Sequence, residues 1–105
     1  MILTNTEQIP GRDYEILHYV KGSVIQAKNI GRDILSALKS LVGGELTNDS
    51  AMLNEARAIA TKRMVKEAEE LGADAIVNLR FTSSTIRQGA AEILVYGTAV
   101  KFREQ

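Results

Sequence analysis

Arg63 and Glu67 stand four residues apart and fall inside the apolar stripe of a segment rich in Ala, Glu, Lys, Arg and Met. Residues at that spacing are neighbours on a helix surface. A cation and a carboxylate therefore lie together where apolar side chains should face a core. Such a pair can snorkel, its stems covering apolar atoms while its heads reach water. Alternatively it makes a polar contact at a subunit boundary, where it fixes register more than it adds stability. No Cys, neighbouring His or metal-ligand set accompanies the pair, so no catalytic role is assigned to it.

His18 is the sole histidine and falls in a run rich in Tyr, Ile and Val, with Ile16 and Val20 on its face by alternation. A lone His there is ordinarily a packed or rim residue. As a metal ligand it needs partners, and Asp13 and Glu15 are the acids near it in sequence. Folding or another subunit would have to bring further donors. Asn29, Arg32 and Asp33 surround Gly31 where a helix is expected to start. They read first as caps for free backbone N–H groups, and second as an anion site. Gly43-Gly44 is not followed by Lys-Ser or Lys-Thr, and no G-x-G-x-x-G occurs. The serines lack a nucleophile-elbow context. No catalytic residue emerges.

These side chains need a frame, and hydrophobic periodicity supplies one. A short strand and the turn Ile9-Pro10-Gly11 open the chain. Tyr14 to Lys28 reads as a long strand with a bulge or bend at Gly22-Ser23. Ile34, Leu35, Leu38, Leu41 and Val42 recur at helical spacing and predict a short helix. A long helix follows from Ser50 to Leu71, after cap candidates in Asn48-Asp49-Ser50, with Met52, Leu53, Ala56, Ile59, Ala60, Met64 and Leu71 on one face. Gly72 is placed to end it. Strands are expected over Ala75 to Phe81, with Ala75, Val77, Leu79 and Phe81 sharing a face, and over Glu92 to Phe102. Thr82 to Ala90 reads as a polar loop or hairpin tip, and Gly97 as a bulge or a close backbone approach.

The order β–β–α–α–β–β predicts a single α+β domain over residues 1–105. Its sheet is expected to be largely antiparallel, with one short and one long helix. Apolar residues make up 45% of the chain, a globular composition. Thirteen basic residues balance thirteen acidic ones, which gives no electrostatic case for nucleic acid. The absence of Cys excludes disulfides and thiolate metal sites. No signal-like segment and no stretch of about 20 apolar residues is seen, so a cytoplasmic protein without a membrane span is expected.

Ile9-Pro10-Gly11, Asn29-Ile30-Gly31-Arg32-Asp33 and Gly43-Gly44-Glu45-Leu46 occur in that order. Glu55-Ala56-Arg57, Arg63-Met64, Glu67-Ala68, Leu71-Gly72-Ala73-Asp74-Ala75-Ile76-Val77 and Arg80-Phe81 follow. Together these resemble the YbjQ-like proteins, a bacterial and archaeal family labelled for heavy-metal binding. Thr47-Asn48-Asp49-Ser50 departs from the family's pattern, in which a Tyr-Thr pair follows Gly-Gly-Glu. The resemblance implies an α+β subunit of a propeller-like homo-oligomer, a pentamer. It also implies a divalent or heavy metal as cofactor, although the chain itself offers no ligand-spaced cluster. It favours the boundary role for Arg63 and Glu67.

The resulting expectation is a non-enzymatic pentameric binding protein that takes a metal ion or small ligand between subunits. Asn29, Arg32, Asp33, Arg63 and Glu67 are its interface or pocket residues, and His18 is its metal candidate. The alternatives are an enzyme with an intersubunit site made from the same five residues, and a structural ring that docks a partner.

Overall fold

The structure, a computed structural model, describes residues 1–27 and 48–104. The stretch from residue 48 to 70 contains neither Gly nor Pro and is rich in Ala, Glu, Lys, Arg and Met, all good helix formers except for its first few residues. It forms α1 (Asn48–Glu70), which begins two residues earlier than expected. Its end is closed by paired backbone bonds. Gly72 N–H donates to Glu69 C=O (3.0 Å) and Ala73 N–H to Ala68 C=O (3.1 Å). That Schellman arrangement needs a left-handed residue just past the helix, and Gly72 has φ +77°.

Four strands build one sheet. They are β1 (Ile2–Leu3), β2 (Tyr14–Ala27), β3 (Ala75–Arg87) and β4 (Ala90–Phe102). Their order across the sheet is β1-β3-β4-β2. β1 runs parallel to β3, and the other two pairings are antiparallel. The expected largely antiparallel sheet, in a subunit of a propeller-like homo-oligomer, is thereby corrected. The sheet is mixed and open, and α1 is the one helix among the described residues. A propeller surrounds its axis with several sheets, whereas here the N-terminal strand adds to the outside of β3 and leaves a single sheet with two edges. The short helix expected over residues 34–42 lies outside the described residues.

α1 covers one face of the sheet, over β2 and β4. Ala56, Ala60, Met64 and Ala68 recur every four residues and are buried. The buried stripe is narrower than the sequence suggested, since Ile59 and Leu71 remain exposed. Its small side chains let the helix close on β2 at Gly22. A Cβ on Gly22 would overlap the Ala60 carbonyl and press on the Met64 amide. Val20, Val95, Ile76 and Ala99 complete this core. A second cluster of Ala75, Val77 and Val100, with Ile9, Tyr14 and Phe102 against it, forms a separate centre.

Three local expectations change. The irregularity in β2 falls between Ile16 and His18, not at Gly22-Ser23. The bulge breaks the alternation, so Ile16 is exposed while Val20 is fully buried. In β3 a shift between Val77 and Arg80, with Asn78 at φ +55°, separates Ala75 and Val77 from Leu79 and Phe81. Ala75 and Val77 belong to the second cluster, Leu79 packs on the first, and Phe81 is exposed. Finally, Thr82 to Arg87 is strand and not loop. Its Thr and Ile residues suit a strand, and pairing with Ala90–Leu94 extends the ladder to the hairpin tip. Gly97 serves a close approach, as expected, because a Cβ there would press on Ile76 Cγ2 at 2.7 Å.

Candidate functional site

β2 lies at one edge of the sheet. In an antiparallel ladder, alternate residues aim both backbone groups at the partner and the others aim them away. Lys21 uses its N–H outside the ladder, so Tyr19, Lys21 and Ser23 face outward from β4. Side chains meet them there. Lys21 N–H donates to Glu67 Oε1 at 3.3 Å. Arg63 Nη1 donates to Ser23 C=O at 2.6 Å. His18 Nδ1 lies 2.7 Å from Tyr19 C=O, and since a carbonyl only accepts, Nδ1 carries the proton. The His18 ring also rests near the Tyr19 ring, with centroids 4.5 Å apart.

The local sequence explains this arrangement. The Ala stripe and Gly22 bring α1 close enough for Arg63 and Glu67, one turn apart, to straddle the crossing point. The bulge between Ile16 and His18 turns His18 toward its neighbour's carbonyl. Three of the side chains singled out from sequence therefore gather on one strand edge. Asn29, Arg32 and Asp33 lie outside the described residues. The sequence reading overlooked what joins the three: Gly22 as the point of contact. The four-residue Ala spacing in α1 was the available signal for it.

The edge is exposed, and among the described residues no polar or charged side chain is buried. Acid–base or nucleophilic chemistry usually works in a desolvated cleft, and these bonds do not make one. They do occupy backbone groups that would otherwise be open to another strand.

A second feature lies at the other end of the sheet. Gly11, Arg12, Asp74, Phe102, Arg103 and Glu104 line an open depression of about 800 Å³. The Arg12 guanidinium sits 4.6 Å from the Phe102 ring centroid, a cation–π distance. Asp74 Oδ2 accepts from Phe102 N–H at 2.8 Å, and Arg103 pairs with Asp13 at 3.3 Å. The walls carry both signs, so the depression does not select a ligand by charge.

Known proteins share this chain's pattern from end to end. A family model described as "Putative heavy-metal-binding" matches residues 1–103. The chain belongs to the YbjQ family. A UPF0145 protein of Alkaliphilus metalliredigens is 65% identical over 97% of this chain and 99% of its own length. One from Thermotoga maritima is 58% identical over 99% of both chains. A crystal structure of a protein of unknown function from Pediococcus pentosaceus has the same fold, with a TM-score of 0.66 at 17% identity over 98% of each chain.

The donor set can be tested against the metal that the YbjQ family description implies. Heavy metals favour thiolates, and this YbjQ chain has no Cys. Among the described residues no three His, Asp or Glu side chains converge. His18 holds a backbone carbonyl through Nδ1 and belongs to no such group among the described residues. The described residues of one chain do not fit a heavy-metal centre.

Proposed function

We propose that the chain works as a homo-oligomer, a pentamer, that holds a small ligand between its subunits. The observation that supports this reading is the far half of the β3–β4 hairpin. Every residue from Phe81 to Gly89 is exposed, including Phe81 at 46% and Ile86 at 53%. The radius of gyration is 16.6 Å, against about 13 Å for a compact domain of roughly 100 residues. A sheet normally buries its apolar face under another layer, and in this reading a neighbouring subunit is that layer. Tyr19, Ile25 and Tyr96 are likewise exposed.

A ring repeats the same residues at each interface, so a pocket can form there without a motif in any one chain. Asn29, Arg32 and Asp33, with Arg63 and Glu67, are the residues proposed for it. They suit a small polar ligand better than a soft metal. A metal ion would need oxygen or imidazole donors from more than one subunit.

Light scattering with and without divalent metals tests the assembly. The expected mass is five times the 11.5 kDa of one chain, independent of metal. A monomer would remove the basis for an intersubunit pocket.

A further inference from the structure

We propose that the depression beside Arg12 and Phe102 is a binding site for a free α-amino acid, whose carboxylate is met by Arg12 and whose ammonium is met by Asp74 and Glu104. The site belongs to one chain and does not rest on the homo-oligomeric reading.

The turn Ile9-Pro10-Gly11-Arg12 sets the cation in place. Arg12 N–H donates to Ile9 C=O at 3.1 Å. Gly11, at φ +77°, follows Pro10, which is the pattern of a type II turn. The Arg12 guanidinium lies 4.6 Å from the Phe102 ring centroid. That ring is itself anchored against Ala75, Val77 and Val100, and the Phe102 N–H donates to Asp74 Oδ2 at 2.8 Å. A guanidinium laid on an aromatic face keeps its planar fork for a carboxylate and loses less freedom on binding one.

The neighbouring charges are already committed. Asp13, next to Arg12 in sequence, pairs with Arg103 at 3.3 Å. Asp74 Oδ2 also lies 3.9 Å from Lys101 Nζ. Among the described residues the Arg12 guanidinium and the Glu104 carboxylate make no ion pair, with each other or with a third group. Yet both line the same depression. A simple anion placed there faces Asp74 and Glu104, and a simple cation faces Arg12. A molecule that carries both charges on one small frame meets each with its opposite. The Phe102 ring gives its side chain an apolar wall, and about 800 Å³ holds a ligand of that class. Both charges are exposed, so the affinity is expected in the millimolar range.

The depression is remote from the points where residues 28–47 leave and rejoin the described fold. Tyr14, beside it, stands about 43 Å along β2 from Ala27. The end of α1, near Asp74, stands about 33 Å from Asn48. A segment of that length reaches about 70–75 Å at full stretch, which falls short of the way in and back.

Titration of the isotope-labelled full chain with each common amino acid, followed by amide NMR shifts, is the test. For at least one of them, saturable shifts are expected at Arg12, Asp74 and Phe102 to Glu104. Its N-acetyl and carboxamide derivatives each lack one charge and should bind about fivefold more weakly or worse. Arg12→Ala and Glu104→Gln should each weaken binding by a similar factor. Both side chains are exposed, so circular dichroism should not change. No saturable shift with any amino acid at its solubility limit would overturn the site, as would saturable shifts confined to other residues. A derivative that binds as tightly as its parent would overturn the zwitterion assignment. If Arg12→Ala does not fold, Glu104→Gln decides, and an unchanged affinity rejects the proposal.

Discussion

Along the outer edge of β2, the outward positions Tyr19, Lys21 and Ser23 each have a backbone group taken by a side chain. Along the outer edge of β3, the equivalent positions Phe81, Ser83 and Thr85 meet no described strand or helix. The two edges belong to one sheet, yet only one lies under α1. The difference teaches that the charged residues in the apolar stripe of the helix need not serve chemistry. Arg63 and Glu67 close a strand edge that the helix backbone itself cannot reach. Among the described residues β3 has no such cover, and its stretch from Phe81 to Ile86 carries no charge.

The strongest way to break this contrast is Gly22→Ala. The added methyl collides with the Ala60 carbonyl, so α1 must lift from β2 and take Arg63 and Glu67 with it. Overpacking of this kind costs about 3 kcal/mol. The melting temperature is expected to fall by roughly 10–20 °C, followed by circular dichroism. A change of under about 2 °C would mean that the helix does not rest on Gly22.

Removing the side-chain cover while keeping the helix seated is a milder test. Arg63→Ala combined with Glu67→Ala should cost about 1–2 kcal/mol, since both bonds are exposed and water replaces them in part. Its more telling effect is on association. With β2 opened, the double variant should acquire concentration-dependent, thioflavin-positive aggregates that the wild type lacks. If it stays as soluble as the wild type, the two side chains do not protect the edge.

His18→Ala sharpens the comparison at its weakest point. His18 is exposed and bonds one neighbouring carbonyl, so the loss should stay within about 0.5 kcal/mol. Binding of divalent metal, measured by calorimetry, should be the same with and without the histidine. A metal affinity that disappears with His18 would restore it as a ligand and point to donors from another subunit.

Much of this architecture was legible before the fold was known. The long helix, its stop at Gly72, the paired Arg63 and Glu67, and the strands flanking the hairpin follow from local propensity and period. Those signals act within a few residues and survive any tertiary context. The family too could be read from short segments spread along the chain. The extent of β3 was missed because Thr82-Ser83-Ser84-Thr85 is polar enough for a loop, and only its pairing with β4 makes it strand. The shared faces in β2 and β3 were misread because single bulges, near Leu17 and at Asn78, invert alternation while leaving composition unchanged.

By itself, then, the sequence determined the long helix and where it ends, the strands from Tyr14, Ala75 and Glu92, and that one chain lacks the thiolates a heavy metal prefers. Only the tertiary structure decided that β1 joins β3 in parallel, that Gly22 is the seat of the helix, and that His18, Arg63 and Glu67 converge on one edge. The physical reason is range. Propensity and capping are set by neighbours along the chain, whereas edge exposure and backbone contact depend on which distant segments fill the same space.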